Sequence, residues 1–163
     1  MNSPTARLAA LGLTLPPVPA PVAAYLPAVR VGELIYSSGQ LPTEEGRLLA
    51  TGKVGAEVSV EDAVRCARTA ALNGLAAVAQ VAGGLDAVQQ VIKAVIFVAS
   101  APDFTAQPQV GNGASELLAE IFGESGRHAR SAVGVASLPL DAPVEIELIV
   151  LAKAVPSVHP VAI

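Results

Sequence analysis

A single cysteine, Cys66, leaves no internal disulfide to be made. Aromatic residues amount to 3% of the 163-residue chain, so any core must be built from Ala, Val, Leu and Ile. Charged side chains are 15% against 52% apolar, which excludes a disordered polyelectrolyte. Positive charge is scarce as well. A net charge of -4 and a pI of about 5.1 argue against a general nucleic-acid binder, which needs a basic footprint to neutralise phosphates. No run reaches the roughly twenty apolar residues of a membrane span. The first segment carries one early arginine, Arg7, and a short Leu/Ala run broken by Gly12 and Pro16, a poor match to a secretory signal. The expectation is a cytoplasmic protein with no membrane partner. There is no Cys/His cluster at metal-ligand spacing and no phosphate-cradling glycine loop.

What is present reads as one domain, long enough for a substantial core. Few charges on an apolar chain also suggest buried contacts between subunits. Ser3 and Pro4 suit the start of a short first helix. The stretch from Leu15 to Pro21 is proline-rich and irregular. Tyr25–Arg30 and Leu34–Ser38 read as strands around a Val31-Gly32-Glu33 turn, and Leu48–Ala50 as a short edge strand. Ser59 with Asp62 approximates a capping box, Glu61 and Asp62 suit the positive end of a helix dipole, and Gly83-Gly84 ends that helix. Val88–Ser100 reads as a strand buried on both faces. A second long helix is expected from Asn112 or Ala114 to Phe122. Residues 155–163 read as a loose tail.

Two β-branched runs, Arg130–Val135 and Val144–Val150, flank the connector Leu138-Pro139-Leu140-Asp141-Ala142-Pro143. Their period of two predicts strands, joined as a hairpin that sets Arg130 across from Glu145 or its neighbour. A one-residue slip would separate the pair. The whole predicts an α+β fold: a mixed β-sheet with two helices packed on one face and the other face left for neighbouring subunits. The domain expectation is an N-terminal extension over 1–20, a domain over 21–154 and a tail over 155–163.

Four stretches carry a resemblance. They are Tyr25 with the later Ser38-Gly39-Gln40; the glycine-ended helix feeding Val91-Ile92-Lys93-Ala94-Val95-Ile96-Phe97-Val98; Asp103-Phe104; and Ala129-Arg130-Ser131 with Val144-Glu145-Ile146-Glu147. Together, over about Tyr25 to Ala152, the chain resembles the RidA/YjgF family of reactive-intermediate deaminases, also known as endoribonuclease L-PSP or translation inhibitor. The resemblance implies a chorismate-mutase-like fold, assembled as a homotrimer with clefts at subunit interfaces. It implies hydrolysis of 2-imino or enamine acids to 2-oxo acids and ammonia, with no cofactor. Carried across, Arg130 matches the arginine that takes the substrate carboxylate, and Glu145 the acid that positions or activates water. Gly39 matches a backbone donor with Ser38 beside it, Tyr25 a tyrosine supplied across the interface, and Asn112 the polar residue of the second helix. Ala132 stands where many members have a cysteine, so a thiol there is not essential to this chain. Gly134 replaces a commonly charged residue, which opens or reshapes the pocket.

The chemistry suits those residue types. A guanidinium takes a carboxylate by two parallel bonds, and a nearby carboxylate accepts a proton from attacking water. Imines already hydrolyse in water, so positioning and modest acid–base help suffice. Each residue has a plainer reading. Arg130 and Glu145 could form a cross-strand ion pair; Glu147 shares Glu145's face and competes for its role; Tyr25 could pack on a strand. Cys66 reads as a small core residue, His128 as a loop residue that could line the cleft entrance, and His159 has no assigned part. Two further functions stand beside the deaminase: a non-catalytic sensor of small carboxylates, and, weakest, an endoribonuclease or translation inhibitor.

Overall fold

The computed structural model describes residues 3–20 and 24–154. Its elements are α1 (Pro4–Ala10), β1 (Ala28–Val31), β2 (Leu34–Ser37), β3 (Thr43–Glu44), β4 (Arg47–Leu48), α2 (Val60–Ala82), β5 (Val88–Ala99), α3 (Gln107–Phe122), β6 (Ala129–Val135) and β7 (Val144–Ala152). Local chemistry accounts for most boundaries. Ser59 caps α2 by accepting from Asp62 N at 3.1 Å, and its own hydroxyl donates to Asp62 Oδ2 at 2.9 Å. The C-terminus of α2 passes into Gly83 at φ 84°, a left-handed position that glycine adopts without steric cost. Ser3 caps α1, whose Leu8 is buried where the helix packs on α3. This is the short first helix expected from Ser3 and Pro4, and it packs beside the two longer ones. α3 begins at Gln107 rather than 112, because Pro108 fits a first helical turn where its missing N–H is not needed.

The main sheet has five strands in the order β1-β2-β7-β5-β6. The expected hairpin of β6 with β7 is not formed. β6 instead lies parallel to β5, with Arg130 beside Ala94, and β7 lies antiparallel to β5 on its other side, with Glu145 beside Phe97. The connector 136–143 exceeds the about two to five residues of a hairpin loop. It carries a 3₁₀ turn at Pro139–Asp141 and passes the end of β5, where Ala99 N donates to Pro143 O at 2.9 Å. The β5–α3–β6 unit is thus a parallel crossover. Residues 155–163, read as a loose tail, lie outside the described residues.

Partners in register share a face. Ala94, Ile96, Val98, Val144, Ile146 and Leu148 are all fully buried under α2 and α3. Arg130, Ala132 and Gly134 lie on that same face by register, at the edge strand. The opposite face holds Val29, Tyr36, Val95, Phe97, Val133, Glu145, Glu147 and Ile149, and no described helix covers it. β5 is therefore buried on one face only, contrary to expectation, and Lys93, Val95 and Phe97 are half-buried. α2 and α3 pack closely: a Cβ on Gly113 would stand 2.1 Å from the carbonyl oxygen of Val64.

Candidate functional site

The residues singled out from the sequence fall into two groups on opposite faces of the sheet. The first is built by β6 and α3. Arg130 is exposed, and its Nη1 donates to Asn112 Oδ1 at 2.9 Å and to Ser115 Oγ at 3.1 Å. Both acceptors lie on one side of α3, three residues apart. No carboxylate among the described residues lies within ion-pair distance of this guanidinium. Gly111 lets the helix approach: a Cβ there would sit 3.4 Å from Arg130 Nη1 and 3.6 Å from Ala132 Cβ. Ala132 packs against the core edge. The space a side chain at Gly134 would need is held by Gln107 and Ser100.

His128 completes this group. One ring nitrogen lies 2.6 Å from Gly126 O and the other 3.1 Å from Ser115 Oγ. Ser115, His128 and Arg130, with Ala119, Gly126 and Arg127, line a hollow of about 260 Å³. Ser115 was not singled out from the sequence. Its signal was available, because it stands one helical turn beyond Asn112.

The second group is built where β2 runs out against β7. Gln40 exchanges backbone bonds with Ile146, at 2.8 and 3.0 Å, so the chain at Ser38-Gly39 is held beside Glu145. A Cβ on Gly39 would fall 1.8 Å from Glu145 Oε1; only glycine leaves room for that carboxylate. Ser38 donates its hydroxyl to Leu26 O at 2.6 Å, which draws the segment after Tyr25 to the same place. Tyr25 itself is 56% exposed. Burial pushes the Glu145 carboxyl above the ordinary carboxylate range, and the charge of Glu147 on the same face pushes it further.

Arg130 and Glu145 therefore do not meet within one chain. Their strands are separated by β5, their register positions differ by three residues along it, and their side chains leave opposite faces. That is roughly 10 Å across and 10 Å along the sheet. The cross-strand ion pair is excluded with the hairpin. Cys66 is buried in α2, and burial lifts its thiol to about 11. No group of three or more His, Cys, Asp or Glu that could hold a metal occurs among the described residues. No described helix is long and apolar enough to cross a membrane.

Comparisons with known proteins point one way. Residues 5–151 match the family described as "YjgF/chorismate_mutase-like, putative endoribonuclease". The chain is 43% identical over 146 residues to protein TCP17 of Trypanosoma cruzi, covering 89% of this chain and 91% of that one. It is 33% identical over 139 residues to a 2-iminobutanoate/2-iminopropanoate deaminase of Dermatophagoides farinae, covering 85% and 94%. A crystal structure of a protein of unknown function from Agrobacterium tumefaciens superposes with a TM-score of 0.84 at 48% identity, covering 93% of this chain and 92% of that one.

Proposed function

This chain belongs to the YjgF/RidA-like family, and on that premise we propose that it hydrolyses reactive 2-imino or enamine acids to 2-oxo acids and ammonia. The observation that carries the reading is an arginine with no acidic partner among the described residues, held by neutral side chains, together with a half-buried carboxylate of raised pKa. Arg130 takes the substrate carboxylate; Asn112 and Ala132 line the approach. Glu145 takes a proton from water as the oxygen bonds to the C=N carbon, giving a carbinolamine. The same carboxyl returns the proton to nitrogen and then takes the proton of the new hydroxyl as the C–N bond breaks, so ammonia leaves and a 2-oxo acid remains. A pKa raised toward the working pH makes Glu145 a better base than an ordinary carboxylate. Gly39, with Ser38 beside it, offers backbone next to that carboxylate, and Tyr25 closes the rim. The D. farinae relative bears the name of this activity.

Since the two groups lie on opposite sheet faces of one chain, the site is composed from two copies. Arg130 of one copy faces the Gly39–Glu145 corner of another, in a homotrimer with its clefts between protomers. The exposed apolar face around Val133 and Tyr36 supports such packing. The reaction is tested with 2-iminobutanoate generated in situ by an amino-acid oxidase. Wild-type protein is expected to accelerate hydrolysis and Arg130→Ala to lose at least about a hundredfold in kcat/KM, since a charged bidentate contact left unmade costs about 3 kcal/mol or more. Wild-type rates at the uncatalysed background would end the reading. The separation of Arg130 from Glu145 favours one alternative, a carboxylate-binding module without catalysis. It would show as 2-oxobutanoate binding by calorimetry with no rate enhancement.

A further inference from the structure

The Arg130 group contains two residues that the proposed reaction has not used, Ser115 and His128. We infer that they are positioning residues which turn the Arg130 guanidinium so that its Nε–Nη2 edge faces the ligand. The inference rests on the proposed carboxylate role of Arg130 and deepens it.

The argument is an accounting of donors and acceptors. Gly126 O accepts only, and it lies 2.6 Å from His128 Nδ1, so Nδ1 carries a hydrogen. In the neutral ring Nε2 then has a lone pair, and the hydroxyl 3.1 Å away on Ser115 donates to it. With its hydrogen committed, the Ser115 oxygen turns a lone pair to Arg130 Nη1 at 3.1 Å, while Asn112 Oδ1 takes the same nitrogen's other hydrogen at 2.9 Å. A charged ring would donate from Nε2 to the same oxygen, so the serine remains an acceptor for Arg130 in either state. The chain runs from backbone carbonyl to imidazole to hydroxyl to guanidinium. Both Nη1 hydrogens are spent inside the protein. What remains is Nε–H and both hydrogens of Nη2; Nε–H and the Nη2 hydrogen beside it are the two parallel donors that fit a carboxylate side-on. All acceptors in the chain are neutral, so Arg130 keeps its full charge for the ligand. An acidic neighbour would have fixed the side chain equally well and cancelled that charge.

The elements place this device with care. Ser115 is on α3, Arg130 on β6, and His128 sits in the short link between the 3₁₀ turn at Gly123–Gly126 and β6. Gly126 is itself close-packed, since a Cβ there would stand 2.2 Å from Leu118 O. The carbonyl that anchors the ring is therefore anchored to α3 as well.

The test uses Ser115→Ala, Ser115→Thr and His128→Phe, each checked by thermal melting, with Arg130→Ala beside them. Kinetics on 2-iminobutanoate and the Arg130 Nε–H resonance in ¹⁵N NMR are both read. Ser115→Ala and His128→Phe are expected to raise KM roughly tenfold, in line with one lost bond to a charged group, and to leave kcat within about twofold. Both are expected to broaden the Nε–H signal or speed its exchange with solvent. Ser115→Thr, which keeps the hydroxyl, restores KM and the signal. If Arg130→Ala abolishes turnover while Ser115→Ala and His128→Phe leave KM and the resonance unchanged, the inference is overturned and the deaminase reading stands. If Arg130→Ala leaves turnover intact, the deaminase reading falls, and the resonance alone decides whether the two residues orient the guanidinium.

Discussion

Glu145 shows at the scale of one residue how the site is tuned. Its carboxyl is disfavoured as an anion by burial and by the charge of Glu147. The folded protein thus holds its proton to higher pH than the unfolded chain does. Glu145 stabilises the fold below the ordinary carboxylate pKa, and that contribution is lost as pH rises through the raised one. Two outcomes follow for Glu145→Gln. Hydrolysis falls to near background, and the acidic limb of the kcat/KM profile, expected above the ordinary 4.5, disappears. Stability at neutral pH does not fall, because a desolvated charge is removed; chemical denaturation at pH 5 and pH 8 reads the difference. Gly39 belongs to the same account, since the carboxylate occupies the space of the missing Cβ. Cys66, by contrast, is a buried small residue whose thiol is raised by burial, as its place among helical alanines indicated.

Among the elements, the α2–α3 contact governs the Arg130 group, because α3 carries Asn112 and Ser115. Gly113 permits that contact, and any side chain there meets the backbone of Val64 rather than a movable tip. Gly113→Ala is expected to cost about 1–3 kcal/mol as overpacking, with the crossing shifted. Loss of carboxylate affinity should accompany it, since α3 would move relative to β6. Denaturant melts and calorimetry with 2-oxobutanoate check both effects. The capped ends of α2 were legible in advance from Ser59, Asp62 and Gly83, because capping is decided within a few residues. The start of α3 was not: it lies at Gln107, with Pro108 in the first helical turn, ahead of the expected Asn112 or Ala114.

Over the whole molecule, the sheet has one face beneath helices and one open. Val29, Val31, Tyr36 and Val133 are each 42–65% exposed, and the register sets Val133 in line with Phe97 and Glu145. Exposed apolar residues on an open face fit the interface proposed above. Val133→Lys, which places a charge on the edge strand of that face, is expected to shift the protein to smaller species in sedimentation velocity. In a composite site it also removes deaminase activity at protein concentrations where wild type is assembled, although Arg130 and Glu145 are untouched. Activity retained in a monomeric Val133→Lys protein would rule out a shared site.

Residue order alone determined the α+β class, the strand-forming runs, the two long helices and the membership signalled by the residues around Tyr25, Gly39, Arg130 and Glu145. Those features depend on periodicities of two and about 3.6 and on short-range capping, all written locally. Only the tertiary structure decided which strands pair. β6 and β7 are neighbours in sequence and read as a hairpin, yet β5 lies between them, because the Pro-containing connector is too long for a tight turn and β5 offers both edges. That choice separates Arg130 from Glu145, puts them on opposite faces, and hands Arg130 to Asn112, Ser115 and His128. Pairing partners are selected by competition between distant segments for the same sheet edges, and no local pattern records the winner.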